Sequence, residues 1–213
     1  GNSYISNIYI IPSGDLQMIS TKNKAQKGIY QEYMDEMAVD GKLGQWDDHH
    51  NALDEYLSID SSRYIMVYQA AAQNGKAVIA IDIKAEAVTE FMQGLNLGDG
   101  SIVGFVTAGG RELAVKRNAG DEQGTPVEGE TIFADKDFYL QASETDGVRQ
   151  VQYNGTEYLF FHSKSEDTGA TMCALVPLKV ITGQAESIKQ ITIAGVLISS
   201  IIALLIGTAV TSG

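Results

Sequence analysis

The chain has 213 residues, of which 44% are hydrophobic and 20% are charged, so it can bury a core and lacks the composition of a disordered polymer. It carries 27 acidic against 15 basic residues and a net charge of −12. That balance excludes the basic footprint of a nucleic-acid-binding protein. A single cysteine, Cys173, excludes an internal disulfide and Cys-rich zinc sites. With three histidines in all, we expect no metal or other cofactor.

The first pattern along the chain is a hairpin, and two helical patterns follow it. Residues 4–11 and 16–20 are β-rich and flank Pro12-Ser13-Gly14-Asp15, a composition typical of a turn. Residues 28–39 have the periodicity of an amphipathic helix. A second helix is predicted over 45–57, where large side chains recur at helical spacing. The residues on that face are Trp46, His50, Leu53 and Leu57.

A second hairpin is predicted where residues 64–70 and 77–83 flank Asn74-Gly75, a strong signal for a two-residue turn. Such a turn makes Asp82 the partner of Val67 and puts Asp82 on one sheet face with Gln69. Extending that face along the strand adds Arg63. Residues 84–96 then read as an amphipathic helix.

The second half of the chain repeats this plan. A hairpin, a polar loop, a short helix and three strands are expected in that order. Their predicted ranges are 101–107 and 112–116 for the hairpin, 118–130 for the loop, 131–142 for the helix, and 148–153, 156–163 and 170–176 for the strands. The sequence therefore predicts an α+β protein in which each half has a central antiparallel sheet.

Residues 191–210 form an uncharged, proline-free run. Twenty helical residues at about 1.5 Å each span about 30 Å, the hydrocarbon thickness of a bilayer, so we predict a transmembrane helix. A helix over 180–189 is expected to lead into it. Small residues recur every fourth position from Gly195 to Gly207; they either allow close helix packing in lipid or reflect ordinary membrane-helix composition. The sequence has no initial Met and ends at Gly213, so we expect a fragment of a longer membrane protein.

Several stretches together resemble the extracellular double Cache (PAS-like) sensor domains of bacterial methyl-accepting chemotaxis proteins. NIYIIPSGDLQMIST resembles the opening hairpin of the membrane-distal module, and NGKAVIAIDIKAEAVTEFMQGL its last strand and exit helix. LGDGSIVGFVTAGGREL, NGTEYLFFHS and TMCALVPLKVIT resemble the first and closing strands of the membrane-proximal module. The resemblance implies a distal module over 1–96, a proximal module over 97–180, and an exit helix and membrane span over 181–213.

The resemblance also implies a function. The chain would be the extracellular ligand-sensing region of a homodimeric transmembrane chemoreceptor, which passes a conformational signal through its membrane helix to a cytoplasmic domain. A small molecule would be the ligand, and an amino acid or a small carboxylate or amine is the expected class. Two alternatives stay open: the same sensor in a histidine kinase or cyclic-dinucleotide enzyme, and an anchored ectodomain without a ligand. The sequence lacks the Arg-x-Trp-Tyr-type signature of the amino-acid-binding subgroup.

The candidate ligand-binding residues centre on Asp82, whose position resembles the amine-binding aspartate of that subgroup. With Arg63 on the same face, a carboxylate and a guanidinium could hold the two ends of a small zwitterion. Gln69, Tyr68 and Trp46 complete the candidate set, although Trp46 could equally fill the core. Asp82 has a second interpretation as the cap of the helix that begins near Lys84.

Catalysis and metal binding have weaker support. His50 and Asp54 are spaced for a shared metal or a direct pair, but no third ligand is evident, so we interpret His50 as a packed or hydrogen-bonded side chain. Cys173 reads as a small buried hydrophobe. The sequence has no Gly-x-Ser-x-Gly elbow and no phosphate-binding loop. An enzyme is therefore not expected.

Overall fold

The computed structural model describes residues 4–21, 29–40, 44–72, 76–142 and 145–182. The chain divides into two compact units, unit 1 up to Val88 and unit 2 from Thr89. This division lies within a helix, upstream of the 96/97 boundary that the sequence predicts. The α+β prediction is confirmed, because each unit contains one antiparallel sheet.

Unit 1 is built on a five-stranded sheet with the order β2-β1-β5-β4-β3, so that β5 lies at its centre. Its described elements are β1 (Ile5–Pro12), β2 (Ile19–Ser20), α1 (Tyr30–Asp40), β3 (Gln45–Asp47), α2 (Asn51–Leu57), a 3₁₀ turn (Ser61–Arg63), β4 (Tyr64–Ala71) and β5 (Ala77–Lys84). The helix α3 (Ala85–Gln93) follows directly. Both predicted hairpins are present as antiparallel pairs, β1 with β2 and β4 with β5.

The pairing of β4 with β5 has the register that a two-residue turn predicts. Val67 is opposite Asp82, and Gln69 is opposite Ala80. The register shifts between Tyr64 and Met66, where an irregularity interrupts the ladder. The alternation of side chains between the two faces therefore cannot be extended to Arg63. The predicted turn residues, Asn74 and Gly75, lie outside the described ranges.

The predicted helix over 45–57 is only half correct. Gln45–Asp47 forms β3 and pairs with β4, with Trp46 opposite Tyr68. The helix α2 begins at Asn51, and His50 immediately before it is not helical. Backbone hydrogen bonding to the edge of the sheet therefore overrides the helical spacing in the first part of the segment. The spacing survives in Leu53 and Leu57, which are both buried.

The inner face of the unit 1 sheet packs against α1 and α2. Tyr33 from α1, and Leu53 and Leu57 from α2, belong to one buried cluster with the strand side chains. Those strand residues are Tyr9, Ile11, Val67, Val78 and Ala80. Each large apolar side chain buried in this way contributes about 1.5–3 kcal/mol.

Unit 2 has a six-stranded sheet with the order β8-β7-β6-β11-β10-β9. Its elements after α3 are β6 (Ile102–Val106), β7 (Glu112–Lys116), β8 (Thr125–Pro126), α4 (Asp137–Leu140), β9 (Asp146–Tyr153), β10 (Thr156–Lys164), β11 (Thr171–Pro177) and α5 (Leu178–Thr182). Counted within each unit, the first and last long strands are neighbours in both sheets. The predicted repetition of the plan is therefore present in the topology.

The predicted helix over 131–142 is shortened to Asp137–Leu140. The reason is a side chain from β7: the Glu112 carboxylate accepts hydrogen bonds from the backbone N–H groups of Ile132, Phe133 and Ala134, at 2.8, 3.0 and 2.9 Å. These bonds hold the segment in a non-helical path. They also place the Phe133 ring against β6, where a Cβ on Gly104 would lie 2.4 Å from the ring.

Within the ranges that the structure describes, no helix has the length and hydropathy of a membrane span. The predicted transmembrane helix over 191–210 and its stripe of small residues lie outside those ranges. Of the predicted helix over 180–189, the described part, up to Thr182, belongs to α5.

Candidate ligand-binding site

Of the five predicted ligand-binding residues, Asp82 and Gln69 lie together on the inner face of the unit 1 sheet. Asp82 is 0% exposed and Gln69 is 1% exposed. They lie on the adjacent strands β5 and β4, as the register requires. The Tyr33 hydroxyl, from α1, donates a hydrogen bond to Oε1 of Gln69. Asp82 and Gln69 therefore share one buried face, as the sequence predicted, next to the apolar cluster of unit 1.

The other three predicted residues lie elsewhere. Trp46 and Tyr68 are paired across β3 and β4, one position out of step with Gln69, so they lie on the opposite face of the sheet. Their rings contact each other with centroids 5.2 Å apart. Arg63 is exposed at the end of the 3₁₀ turn, beyond the irregularity in β4. The five residues therefore do not converge on one pocket.

Both oxygens of Asp82 are engaged by buried side chains. Oδ1 lies 2.7 Å from Nε2 of His50. Oδ2 accepts hydrogen bonds from the Tyr9 hydroxyl at 3.2 Å and from Nδ2 of Asn7 at 3.3 Å. The described contacts of the carboxylate are thus with side chains rather than with the N-terminal N–H groups of α3, so the alternative capping role of Asp82 has no support in the structure.

His50 lies between two carboxylates. Its Nε2 faces Asp82, and its Nδ1 lies 3.0 Å from Oδ1 of Asp54, one turn along in α2. The second oxygen of Asp54 accepts a hydrogen bond from the Tyr64 hydroxyl at 2.5 Å. The interpretation of His50 as a hydrogen-bonded histidine is confirmed. Within the described residues, no group of three or more ligating side chains is arranged to hold a metal ion.

The charge of His50 follows from this environment. Burial alone lowers the pKa of the imidazole, but the hydrogen bonds and charges of Asp54 and Asp82 outweigh it and raise the pKa to about 9. His50 is therefore an imidazolium at neutral pH, with a carboxylate facing each of its ring nitrogens. Burial and the nearby carboxylates also raise the pKa of the Tyr9 and Tyr64 hydroxyls, which stay protonated and act as donors.

Sequence analysis missed three members of this cluster, Asn7, Tyr9 and Tyr64. Asn7 and Tyr9 lie at alternate, buried positions of β1, so Asn7 is a polar residue on the inward face of a mostly apolar strand. That alternation could have marked it. Asn7 is opposite Asp82 in the β1–β5 pairing and is 1% exposed. Its Oδ1 is a buried acceptor without a hydrogen-bond partner in the described structure.

Solved structures share this architecture over most of the chain. The extracellular domain of rpHK1S-Z16, assigned as a histidine kinase, matches with a TM-score of 0.54 at 12% identity, covering 84% of this chain and 73% of that one. The corresponding domain of mmHK1S-Z3 matches with a TM-score of 0.51 at 13% identity, covering 87% and 78%. The chain shares the fold of these two extracellular domains.

A third solved structure is the ligand-binding domain of Mlp24 with asparagine, which has a TM-score of 0.44 at 13% identity and covers 83% of this chain and 70% of that one. No family model matches the sequence. No curated protein matches it either. The two similarities above a TM-score of 0.5 therefore establish the fold of the chain, and function has to be argued from the site.

Proposed function

We propose that this chain is the extracellular sensing region of a membrane-anchored signalling receptor, and that unit 1 binds a small molecule at the inner face of its sheet. The observation that carries the proposal is the fully buried Asp82 carboxylate in the central strand β5. It lies among polar side chains from β1, β4 and the segment before α2.

A buried charged cluster is costly as a purely structural device. Removing two charges from water costs several kcal/mol each, and apolar residues of similar volume are often no less stable in their place. Buried, perturbed ionisable groups therefore occur preferentially at functional sites. In unit 1 the apolar core already holds the sheet against α1 and α2. Asp82, His50 and Asp54 add charge at the point where a ligand on this face would be recognised.

The proposed ligand is a small molecule with a cationic amine, such as an amino acid or a small amine. A carboxylate in a low-dielectric environment recognises an ammonium group through a charge-assisted hydrogen bond. Asp82 would provide that bond, and Gln69 would provide a neighbouring amide on the same face. The proposed contacts with the ligand do not include Arg63, Trp46 and Tyr68, because these residues do not lie on this face. Their role in binding stays a prediction from the sequence.

The membrane anchor and the output complete the proposal. Residues 191–210 would anchor a homodimer and connect the sensor to a cytoplasmic domain. The sequence resemblance favours a chemoreceptor, and a histidine kinase is the alternative. Autophosphorylation on histidine by the intact receptor in membranes, without an added kinase, would identify a histidine kinase. Phosphorylation that requires a separate kinase would support the chemoreceptor.

A thermal-shift screen of the intact chain in detergent tests ligand binding. The panel contains amino acids, small carboxylates, amines and purines, and a ligand at a hundredfold excess over its Kd adds about 2.7 kcal/mol of stability. We expect a hit whose effect is abolished by Asp82→Asn and retained by the matched control Glu86→Gln, an exposed acid that pairs with Lys84 in the same unit. A hit that survives Asp82→Asn contradicts this site. Silence across the panel favours the ligand-free ectodomain.

A further inference from the structure

The imidazolium of His50 occupies the position at Asp82 where a ligand ammonium would bind. The two side chains are 1% and 0% exposed, and Nε2 lies 2.7 Å from Oδ1. His50 is the residue immediately before α2, whereas Asp82 lies in the central strand. The contact is therefore made by a side chain that belongs to none of the paired strands.

Asn7 supplies a second, independent sign of a ligand subsite. Nδ2 of Asn7 donates a hydrogen bond to Oδ2 of Asp82. This bond fixes the orientation of the Asn7 amide, because the reverse orientation would place the amide oxygen against the carboxylate. The amide oxygen is then a buried acceptor without a partner in the described structure. A buried acceptor left in this state carries the full desolvation penalty of the group. An ammonium group has three donors and accepts none, so it suits a carboxylate beside a free amide oxygen.

We propose that Asn7 and Asp82 form an ammonium subsite, that His50 fills it in the ligand-free receptor, and that a primary-amine ligand takes the place of the imidazolium. This inference rests on the proposed function of unit 1. The exchange replaces one buried cation by another, so Asp82 keeps a counter-charge throughout. His50 keeps a counter-charge too, because Nδ1 lies 3.0 Å from Oδ1 of Asp54 in the helix that follows it.

The exchange has a mechanical consequence. In the ligand-free state His50 connects α2 to β5, through Asp54 on one side and Asp82 on the other. Once the ammonium holds Asp82, α2 is no longer tied to the central strand through this ring. Ligand binding would thus change the attachment of α2, and a ligand shifts such an equilibrium only by its differential affinity for the two states.

Chemical rescue with methylammonium tests the inference without knowledge of the natural ligand. The intact chain in detergent is compared with His50→Ala, and unfolding is followed against methylammonium chloride, with sodium chloride at equal ionic strength and acetamide as a neutral probe. We expect His50→Ala to unfold at lower temperature and to be restabilised saturably by methylammonium alone. Its half-saturating concentration should be lower than that of the wild type by roughly tenfold or more, because the wild type must first release its own cation.

Two further variants make the result decisive. Adding Asp82→Asn to His50→Ala should abolish the rescue, and adding Asn7→Ala should weaken it. If His50→Ala fails to fold, His50→Gln keeps a hydrogen-bond donor without the charge, and should still bind methylammonium more tightly than the wild type. The proposal is overturned if methylammonium stabilises His50→Ala equally well with and without the added Asp82→Asn change. It is also overturned if methylammonium stabilises neither His50→Ala nor His50→Gln.

The outcomes also separate this inference from the proposed function. Rescue by methylammonium, together with silence in the ligand screen, would retain the subsite and remove the sensor assignment of unit 1. A screen hit that needs Asp82 but binds His50→Gln and wild type equally well would retain the sensor and overturn the role of His50.

Discussion

Nε2 of His50 lies 2.7 Å from Oδ1 of Asp82, and 32 positions of sequence separate the two residues. Both side chains are buried beside the apolar and aromatic cluster of unit 1. The ring is oriented from its other side by Asp54. Since each carboxylate alone would be an uncompensated buried charge, the three groups depend on one another, and the stability of unit 1 should respond to the protonation of His50.

Raising the pH above neutral should destabilise unit 1. The pKa of His50 is raised from 6.5 to about 9 in the folded chain. Its contribution to stability is therefore fully present below pH 6.5 and is lost as the pH rises through 9. The free energy of unfolding should fall by up to about 3 kcal/mol across this window. Urea denaturation at pH values from 6 to 10 measures this loss of stability, because that range spans both the ordinary histidine pKa of about 6.5 and the raised value.

His50→Gln is the control for this pH dependence, because the variant lacks the titrating imidazole. Its stability should vary much less over the same window. Cys173 is common to both proteins, so the loss of stability at high pH that follows from the raised pKa of its buried thiol appears in both profiles. An unchanged pH profile in His50→Gln would show that the effect belongs to another group.

Removing one partner of the His50–Asp82 pair should cost more than removing both. Asp82→Leu leaves a buried imidazolium with one carboxylate, and loss of one partner of a buried pair costs about 3–5 kcal/mol. The double variant His50→Leu/Asp82→Leu removes both the imidazolium and the Asp82 carboxylate, so neither is left buried without the other. The double variant should therefore be more stable than the sum of the single effects predicts. A double-mutant cycle by urea denaturation measures this coupling, and additive effects would contradict the pairing.

The sheet register could be predicted from the sequence because a local signal determines it. Asn74-Gly75 indicates a two-residue turn, and counting outward from it gives Val67 opposite Asp82, as the structure has it. The segment 45–57 shows where this approach fails. Its helical spacing is a local property, but β3 forms because the edge of β4 offers hydrogen-bond partners to Gln45–Asp47, and nothing within the segment reveals that edge.

The composition of the site was harder to predict than its location. Asp82 could be identified as a charged residue in an apolar strand. Its actual partners come from β1 and from the segment before α2, and these are non-local contacts that no spacing rule provides. Arg63 was placed on the same face by extending a regular alternation, which the irregularity between Tyr64 and Met66 interrupts.

Glu112→Gln should loosen the segment that shortens α4 in unit 2. The carboxylate accepts three backbone hydrogen bonds, and an amide offers one acceptor oxygen together with an NH₂ donor that faces N–H groups. We expect a loss of about 1–3 kcal/mol in stability. Hydrogen exchange at Ile132, Phe133 and Ala134 should accelerate. Glu157→Gln, an exposed change in the same unit, is the control, and equal exchange rates in the two variants would contradict the role of Glu112.

Gly104→Ala should disturb the core of unit 2, because a Cβ at this position would lie 2.4 Å from the Phe133 ring. Phe133 is fully buried and packs against Phe138 and Phe160, so its ring has little room to move. The expected cost is about 1–3 kcal/mol. Gly94→Ala is the matched control, since its nearest contact would be an ordinary 3.4 Å. Thermal unfolding of both variants decides the matter, and Phe133→Leu should relieve the loss in Gly104→Ala by shortening the side chain that meets the new methyl group.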